Sequence, residues 1–276
     1  MTVRALAAEF QKTLTTRMWW LLAILLVVYV GLLAGGLGAF LAWAIANPEQ
    51  AARAGGGQPP ITPGIDLPPL IYSFATSIGY VFPVLLGALA VTGEFRHRTL
   101  TPTFLATPKR GVVLTGKLAS QLVVGAVFGV LGFAASVGAG AAALSAFGVD
   151  PTLDATDTWA MVGRGILAMA LWGAIGVGLG AVVPNQVAAI VIVIAFTQFV
   201  EPMLRLVSSL SDVTAEIGKY LPGAASDALV GASIYSMAAI GQSASLEWWQ
   251  GGLVLAGYAA LLTVIGGATT WRRDVT

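Results

Sequence analysis

The chain has no cysteine, a single histidine (His97) and few charged residues. Without cysteine it can form neither disulfides nor thiolate metal sites. One histidine also rules out the His-Glu-x-x-His zinc motif. Charged residues make up 10% of the 276 residues, whereas a soluble domain carries about 25%. The formal net charge of +1 gives no reason to expect nucleic acid as a partner. These deficits indicate a protein of the lipid bilayer.

Apolar sequence is abundant, at 57% of the chain, and it is arranged in six runs. A membrane-spanning helix needs about 20 mostly apolar residues. The predicted spans cover residues 18–46, 70–92, 118–147, 165–183, 187–207 and 248–271. Ahead of them, residues 3–17 place apolar side chains at helical spacing, which predicts an amphipathic helix lying in the membrane interface. We therefore expect an all-α membrane protein with one transmembrane domain over residues 1–276.

Basic residues are divided unequally between the two sides of the predicted membrane. Six spans place both termini on one side, and that side holds ten Lys and Arg with three acids. The other side holds four Lys and Arg with ten acids. Because basic loops stay in the cytoplasm, we expect both termini to be cytoplasmic. Arg outnumbers Lys by ten to four and Ala and Gly are abundant, a usage typical of GC-rich bacteria. The predicted location is a bacterial plasma membrane, crossed several times.

The loop between the second and third spans, residues 93–117, combines positive charge with an apolar centre. Its basic residues are five of the fourteen in the chain: Arg96, Arg98, Lys109, Arg110 and Lys117. Its apolar residues are Leu100, Phe104 and Leu105. A loop that only joined two spans would need neither set. We expect residues 94–112 to fold into a short helix at the membrane surface that contacts a cytoplasmic partner, bracketed by Glu94 and Pro108.

Two features lie near the opposite side of the predicted membrane. Residues 213–240 are too apolar for a solvated loop, which predicts short helices dipping into the outer leaflet where protein or a cavity surrounds them. Glu201 lies late in the fifth run, next to Pro202, and would be costly facing lipid. It could cap a neighbouring helix, pair with Arg205 or face a substrate path. No predicted span carries a charge at its middle, which disfavours an ion-driven carrier.

The sequence contains two glycine patterns, one similar to a phosphate-binding loop and one typical of close helix packing. The segment GVVLTGK, residues 111–117, matches the GxxxxGK skeleton of a phosphate-binding loop, but Leu118 stands where the motif needs Ser or Thr. We interpret it as a helix start, with Lys117 at the inner interface. Three Gly-x-x-x-Gly spacings predict close helix contacts. They pair Gly31 with Gly35, Gly125 with Gly129, and Gly176 with Gly180.

The charged and apolar loop, its position after the second span and the six-span plan resemble the type-2 family of ATP-binding-cassette (ABC) exporter permeases. That family carries a Glu-x-Arg…Thr-Leu…Leu-x-Thr-Pro-Lys/Arg pattern after its second span. The matching residues here are Glu94, Arg96, Thr99, Leu100, Thr103, Leu105, Thr107, Pro108, Lys109, Arg110 and Lys117. The segment LPGAASDAL, residues 221–229, is similar to the family's outer segment between the fifth and sixth spans.

The resemblance implies a mechanism in which the loop is a coupling helix. Such a helix docks into a groove on a separate ABC ATPase subunit, and two ATPases work with two permease halves, here a second copy or a homologue. The residues expected to couple to the ATPase are Glu94, Arg96, Thr99, Leu100, Thr103, Phe104, Leu105, Pro108, Lys109 and Arg110. ATP and magnesium would bind to the partner, so this chain is expected to be a non-catalytic transport subunit with no cofactor of its own. Membrane lipids are its other expected contacts.

The expected function is ATP-driven export of an amphiphilic or lipophilic substrate, such as a lipid or a drug. Two alternatives stay open. One is an ATPase-independent channel or ion-driven carrier, which would transport in proteoliposomes by itself. The other is an immunity or assembly factor that binds a membrane lipid or peptide, which would show binding without flux.

Overall fold

The computed structural model describes residues 3–54, 66–208, 210–233 and 246–272. Within these ranges the regular structure is helical and contains no strand. Six stretches are long and apolar enough to cross a membrane: Met18–Ala46, Leu67–Arg96, Arg110–Ala146, Thr156–Val182, Gln186–Ser208 and Trp248–Ala268. The prediction of an all-α membrane protein with six transmembrane helices is confirmed.

Fourteen helices are described along the chain. The first seven are α1 (Val3–Thr15), α2 (Met18–Ala46), α3 (Pro48–Ala54), α4 (Leu67–Tyr72), α5 (Phe74–Ser77), α6 (Val81–Arg96) and α7 (Leu100–Ala106). The next seven are α8 (Arg110–Ala146), α9 (Thr156–Val182), α10 (Gln186–Ala195), α11 (Glu201–Ser208), α12 (Asp212–Gly218), α13 (Pro222–Val230) and α14 (Trp248–Ala268). A π-helical turn, Phe196–Val200, joins α10 to α11, and a 3-10 turn, Thr270–Arg272, follows α14.

Several spans begin earlier than their apolar runs. The second starts at Leu67 rather than 70, the third at Arg110 rather than 118, and the fourth at Thr156 rather than 165. The predicted third and fourth spans began directly after Lys117 and Arg164, but a helix continues through charged residues when their side chains find partners. Arg164, for example, donates from Nε to the Ala160 carbonyl within α9 at 3.3 Å.

The second and fourth spans form the centre of the bundle. In each, 72% of the most apolar stretch is buried, against 22–28% in the first, fifth and sixth spans. These three peripheral spans expose large apolar side chains, as helices facing lipid do. One buried cluster draws residues from all six spans, so the packing is continuous across the bundle.

Glycines allow the central helices to approach backbone to backbone. A Cβ atom on Gly176 of α9 would lie 2.2 Å from the Val84 carbonyl oxygen of α6, and one on Gly125 of α8 would lie 2.6 Å from the Met169 carbonyl oxygen of α9. Only glycine fits at such positions. The contact at Gly35 is looser, with Ala139 Cβ at 3.3 Å. The predicted helix contacts at the three glycine pairs are confirmed.

The two ends of the bundle carry different short helices. We call the end that holds α1, α7 and the 3-10 turn the terminal face, and the opposite end the distal face. Helix α1 confirms the predicted N-terminal helix and packs against α8. Helices α12 and α13 confirm the short helices expected between the fifth and sixth spans. The part of that prediction covering residues 234–240 lies outside the described residues.

Candidate functional site

Helix α7 occupies the predicted coupling region and has one side fixed to the membrane bundle. Leu100 is completely buried, in a cluster with Val91, Val113, Leu114, Val177, Ala181 and Trp271. Phe104 meets the Trp271 ring edge-on, with centroids 5.6 Å apart. The Arg110 guanidinium carbon lies 5.0 Å from the centroid of the Phe104 ring. The apolar side of α7 therefore faces its own chain.

Trp271, in the 3-10 turn after the sixth span, forms two hydrogen bonds with Arg110 at the start of α8. Trp271 Nε1 donates to the Arg110 carbonyl at 2.9 Å, and Arg110 Nη1 donates to the Trp271 carbonyl at 3.1 Å. Arg110 thus makes internal contacts that the sequence did not reveal, because its partner lies 161 residues away. Arg110, which was expected to meet an ATPase, is engaged within its own chain.

The other side of α7 is open. Leu105 is 79% exposed, a high value for a leucine close to buried Leu100. We define the loop surface as the exposed residues Arg98, Thr99, Thr101, Leu105 and Lys109. Pro108 and Arg96 are exposed beside it, and Arg96 Nη1 donates to Gln186 Oε1 at 3.3 Å. The loop surface combines one prominent apolar side chain with basic groups.

Glu94 lies inside the protein, away from the loop surface. It is 7% exposed, and its Oε1 lies 2.8 Å from Lys117 Nζ. Lys117 is 1% exposed and donates to Glu9 Oε2 at 2.7 Å and to the Ala90 carbonyl at 3.2 Å. Lys117 is therefore a buried ion-pair partner, which corrects its interpretation as an inner-interface anchor. The two carboxylates hold it below the surface.

Lys12 of α1 completes this arrangement, which we call the four-charge cluster: Glu9, Lys12, Glu94 and Lys117. Lys12 Nζ lies 2.8 Å from both Glu9 Oε1 and Glu94 Oε1. It also donates to Thr103 Oγ1 of α7 at 3.3 Å. Burial lowers the pKa of Lys12, but hydrogen bonds and attraction from Glu9 and Glu94 outweigh it and leave the pKa above its ordinary 10.5. The cluster is formally neutral and ties α1 to α6, α7 and α8.

A cavity of about 670 Å³ opens beside the four-charge cluster. Leu86 and Leu89 of α6 form part of its apolar wall, while Thr16, Arg17 and Gln186 contribute polar groups. Leu86 lies eight residues before Glu94, about 12 Å along the helix, so the cavity reaches well into the bundle. A polar mouth above an apolar wall suits an amphiphilic molecule.

Glu201 lies at the distal face and is 1% exposed. Its Oε1 accepts from the Gly223 backbone amide at 2.5 Å and from Arg205 Nη2 at 3.2 Å. Two of its sequence interpretations are thus confirmed, since it caps α13 and pairs with Arg205. The fifth span, Gln186–Ser208, includes Glu201 in its later part, as predicted, so this span carries a buried carboxylate.

Arg205 connects Glu201 to a second carboxylate. Its Nη1 lies 2.6 Å from Asp227 Oδ2, which also accepts from Ser233 Oγ at 2.6 Å. Burial raises the pKa of the Asp227 carboxyl, and Arg205 and Ser233 oppose the rise. We call Glu201, Arg205 and Asp227 the distal cluster. Sequence reasoning missed Asp227, which lies in the segment 221–229 but 22 positions from Arg205.

No family model and no curated protein matches the chain. Among the described residues, no group of three or more His, Cys, Asp or Glu side chains could hold a metal ion. Function is therefore inferred from the loop surface, the two charge clusters and the cavity.

Proposed function

We propose that this chain is the membrane-spanning subunit of an ATP-driven exporter, and that a separate ABC ATPase subunit binds the loop surface. The observation that carries the proposal is the two-sided character of α7. Leu100 and Phe104 fix one side to the bundle, while Leu105 is 79% exposed on the other. An apolar side chain presented by a short helix is a typical anchor for a groove in a partner protein.

The attachment of α7 would let it transmit movement. It lies between α6 and α8, and α8 has 37 residues, about 55 Å of helix. Lys12 adds a link from Thr103 to α1. A push on the loop surface would thus reach two spans and the N-terminal helix at once. ATP and magnesium would be bound by the partner, and this chain would supply the path.

The positions of the basic residues support both the proposed ATPase partner and the proposed orientation of the chain in the membrane. Arg98 and Lys109 on the loop surface can pair with acidic groups of an ATPase. The excess of Lys and Arg on the terminal side of the sequence favours a cytoplasmic terminal face, where ATP is available. The proposed location is the plasma membrane of a bacterium.

The cavity supports an amphiphilic or lipophilic substrate, such as a lipid or a lipophilic drug. Its apolar wall at Leu86 and Leu89 lies beside polar groups at the terminal face, which is where a molecule from the adjacent leaflet would arrive. The peripheral spans expose apolar side chains that could contact lipid or a second permease half. We propose two permease halves and two ATPases in the working transporter.

A photo-crosslinking residue at position 105 tests the proposal in living cells. Position 14 provides a matched control, since Leu14 is also an exposed leucine, 51% accessible, on the terminal face. The expected result is an identified ABC ATPase crosslinked at position 105 and absent at position 14. Crosslinks at position 105 that contain only lipid, while an ABC ATPase copurifies through another surface, would overturn the proposal.

The second candidate is an ion-driven carrier, and one observation favours it. Glu201 is a buried carboxylate inside the fifth span, and such residues often mark ion pathways. Proteoliposomes that contain only this chain would then transport when an ion gradient is applied. The exporter proposal expects no such transport.

A further inference from the structure

A cavity of about 10 Å³ lies against the distal cluster. That volume is about what one water-sized sphere requires. The cavity is lined by Ser77 and Tyr80 from the second span, Glu201 and Arg205 from the fifth, and Ser226 and Asp227 from α13. Three separate parts of the chain therefore meet around a space for one small occupant.

Two buried oxygens at this cavity have no hydrogen-bond partner in the described structure: Glu201 Oε2 and Ser77 Oγ. Glu201 is 1% exposed and Ser77 is 9% exposed, so bulk water does not reach them freely. A buried polar group left unsatisfied costs about 1–3 kcal/mol. An occupant that binds both oxygens would remove that cost.

The charges around the cavity do not balance. Glu201 and Asp227 contribute two negative charges, and Arg205 contributes one positive charge. Tyr80 contributes a hydroxyl group to the cavity lining, and the hydroxyl of Tyr258 in α14 donates to the Tyr220 carbonyl at 3.1 Å. With both carboxyl groups ionised, the three side chains carry a net charge of −1, which is costly away from water unless a cation compensates it.

The backbone is irregular at the same place. The second span is interrupted between α5, which ends at Ser77, and α6, which begins at Val81. The fifth span contains the π-helical turn Phe196–Val200, and the Thr197 carbonyl in that turn accepts from Tyr80 hydroxyl at 3.3 Å. Interrupted helices in membrane proteins occur where they line a cavity, and many such breaks hold small cations.

We propose that this cavity binds one small monovalent cation, either a sodium ion or a proton carried by Glu201. Glu201 Oε2 and Ser77 Oγ are the oxygen ligands for sodium, and Glu201 Oε2 is the atom that takes the proton. The bound cation neutralises the distal cluster and joins the second span, the fifth span and α13. The site does not depend on the proposed transport function, because it would bind the cation in the chain alone.

The test measures thermal unfolding of the purified chain in detergent at constant ionic strength, with sodium, potassium or N-methylglucamine as the cation. We expect sodium to raise Tm by several degrees in a saturable way, because a ligand that binds only the folded state stabilises it. Binding of radioactive sodium should saturate at one ion per chain. Glu201→Gln should remove both effects, and Ser77→Ala should raise the half-saturating sodium concentration several-fold.

If the occupant is a proton and not sodium, the thermal unfolding experiment should give a different result. Without any sodium effect, Tm of the wild-type chain should rise as pH falls from 8 to 5, because the folded site takes up a proton that the unfolded chain does not. That rise should be absent in Glu201→Gln and unchanged in Asp154→Asn, a control at an exposed acid near the distal face. If Tm does not respond to sodium, and if Glu201→Gln leaves its pH dependence unchanged, the cavity holds only water and the proposal fails.

Discussion

The four-charge cluster and the distal cluster are built from the same kinds of residues but differ in charge balance. The first has two acids and two bases and is neutral, whereas the second has two acids and one base. Each keeps one buried carboxylate oxygen that has no hydrogen-bond partner among the described residues, Glu94 Oε2 in the first and Glu201 Oε2 in the second. The two clusters therefore differ in net charge and not in the presence of an unsatisfied oxygen. A balanced cluster fastens helices together by itself, whereas an unbalanced one needs an occupant.

The Lys117→Met substitution should cause the largest loss of folding stability, and it tests whether charge balance distinguishes the two clusters. The variant leaves two carboxylates against Lys12 alone, the same imbalance as in the distal cluster. Removing one partner of a buried ion pair costs about 3–5 kcal/mol, and Lys117 is 1% exposed. Thermal unfolding of the purified chain, followed by tryptophan fluorescence, would measure the loss.

The double variant Glu9→Gln, Lys117→Met restores neutrality and is the control for that experiment. It should recover a large part of the lost stability, because a buried ion pair can often be replaced by neutral groups at little cost. A double variant as unstable as Lys117→Met would show that packing around the side chain, and not charge balance, explains the loss.

The contact between α6 and α9, which lies between the two clusters, should give the next largest loss of stability when it is disturbed. Gly176→Ala places a Cβ atom 2.2 Å from the Val84 carbonyl oxygen and should destabilise the chain by about 1–3 kcal/mol through overpacking. Gly138→Ala in α8 meets nothing within 4 Å and should be neutral or slightly stabilising. Equal melting temperatures for the two variants would contradict the close packing of α6 against α9.

High pH should weaken the four-charge cluster by a smaller amount. The pKa of Lys12 lies above 10.5 in the folded chain. Its contribution is therefore complete below pH 10.5 and is lost as pH rises through the folded pKa. The effect should be below about 1 kcal/mol, since Lys12 is 40% exposed and solvent screens it. Lys12→Arg should shift the loss to higher pH in a melting series, and a series unchanged by that substitution would contradict this role.

Apolar runs were sufficient to predict six spans and the short helices near them, because a membrane helix depends mainly on the length and composition of one segment. The first span was predicted with its observed limits, Met18–Ala46. The fifth was correctly expected to continue past Pro202. Proline is accommodated there because it follows the π-helical turn Phe196–Val200, where the backbone hydrogen bonds already depart from the α-helical pattern.

The candidate sites were only partly accessible from sequence. The loop helix could be placed because its charged and apolar residues are adjacent. Which side of α7 is open could not be derived, because Leu100 and Phe104 are covered by Trp271 from the far end of the chain. The pairing of Glu9 with Lys117 spans 108 positions. Contacts of that range depend on how the spans pack, which periodicity does not specify.

The loop surface is predicted to couple the chain to an ABC ATPase, and Leu105→Asp tests this most directly. Leu105 is 79% exposed, so the substitution should change the stability of the chain by no more than about 0.5 kcal/mol. The measurement is transport per ATP hydrolysed by the chain reconstituted with the ABC ATPase captured at position 105. We expect Leu105→Asp to lose most transport while Leu14→Asp keeps it. Transport by Leu105→Asp at the wild-type ratio, with normal ATPase binding, would contradict the coupling role of α7.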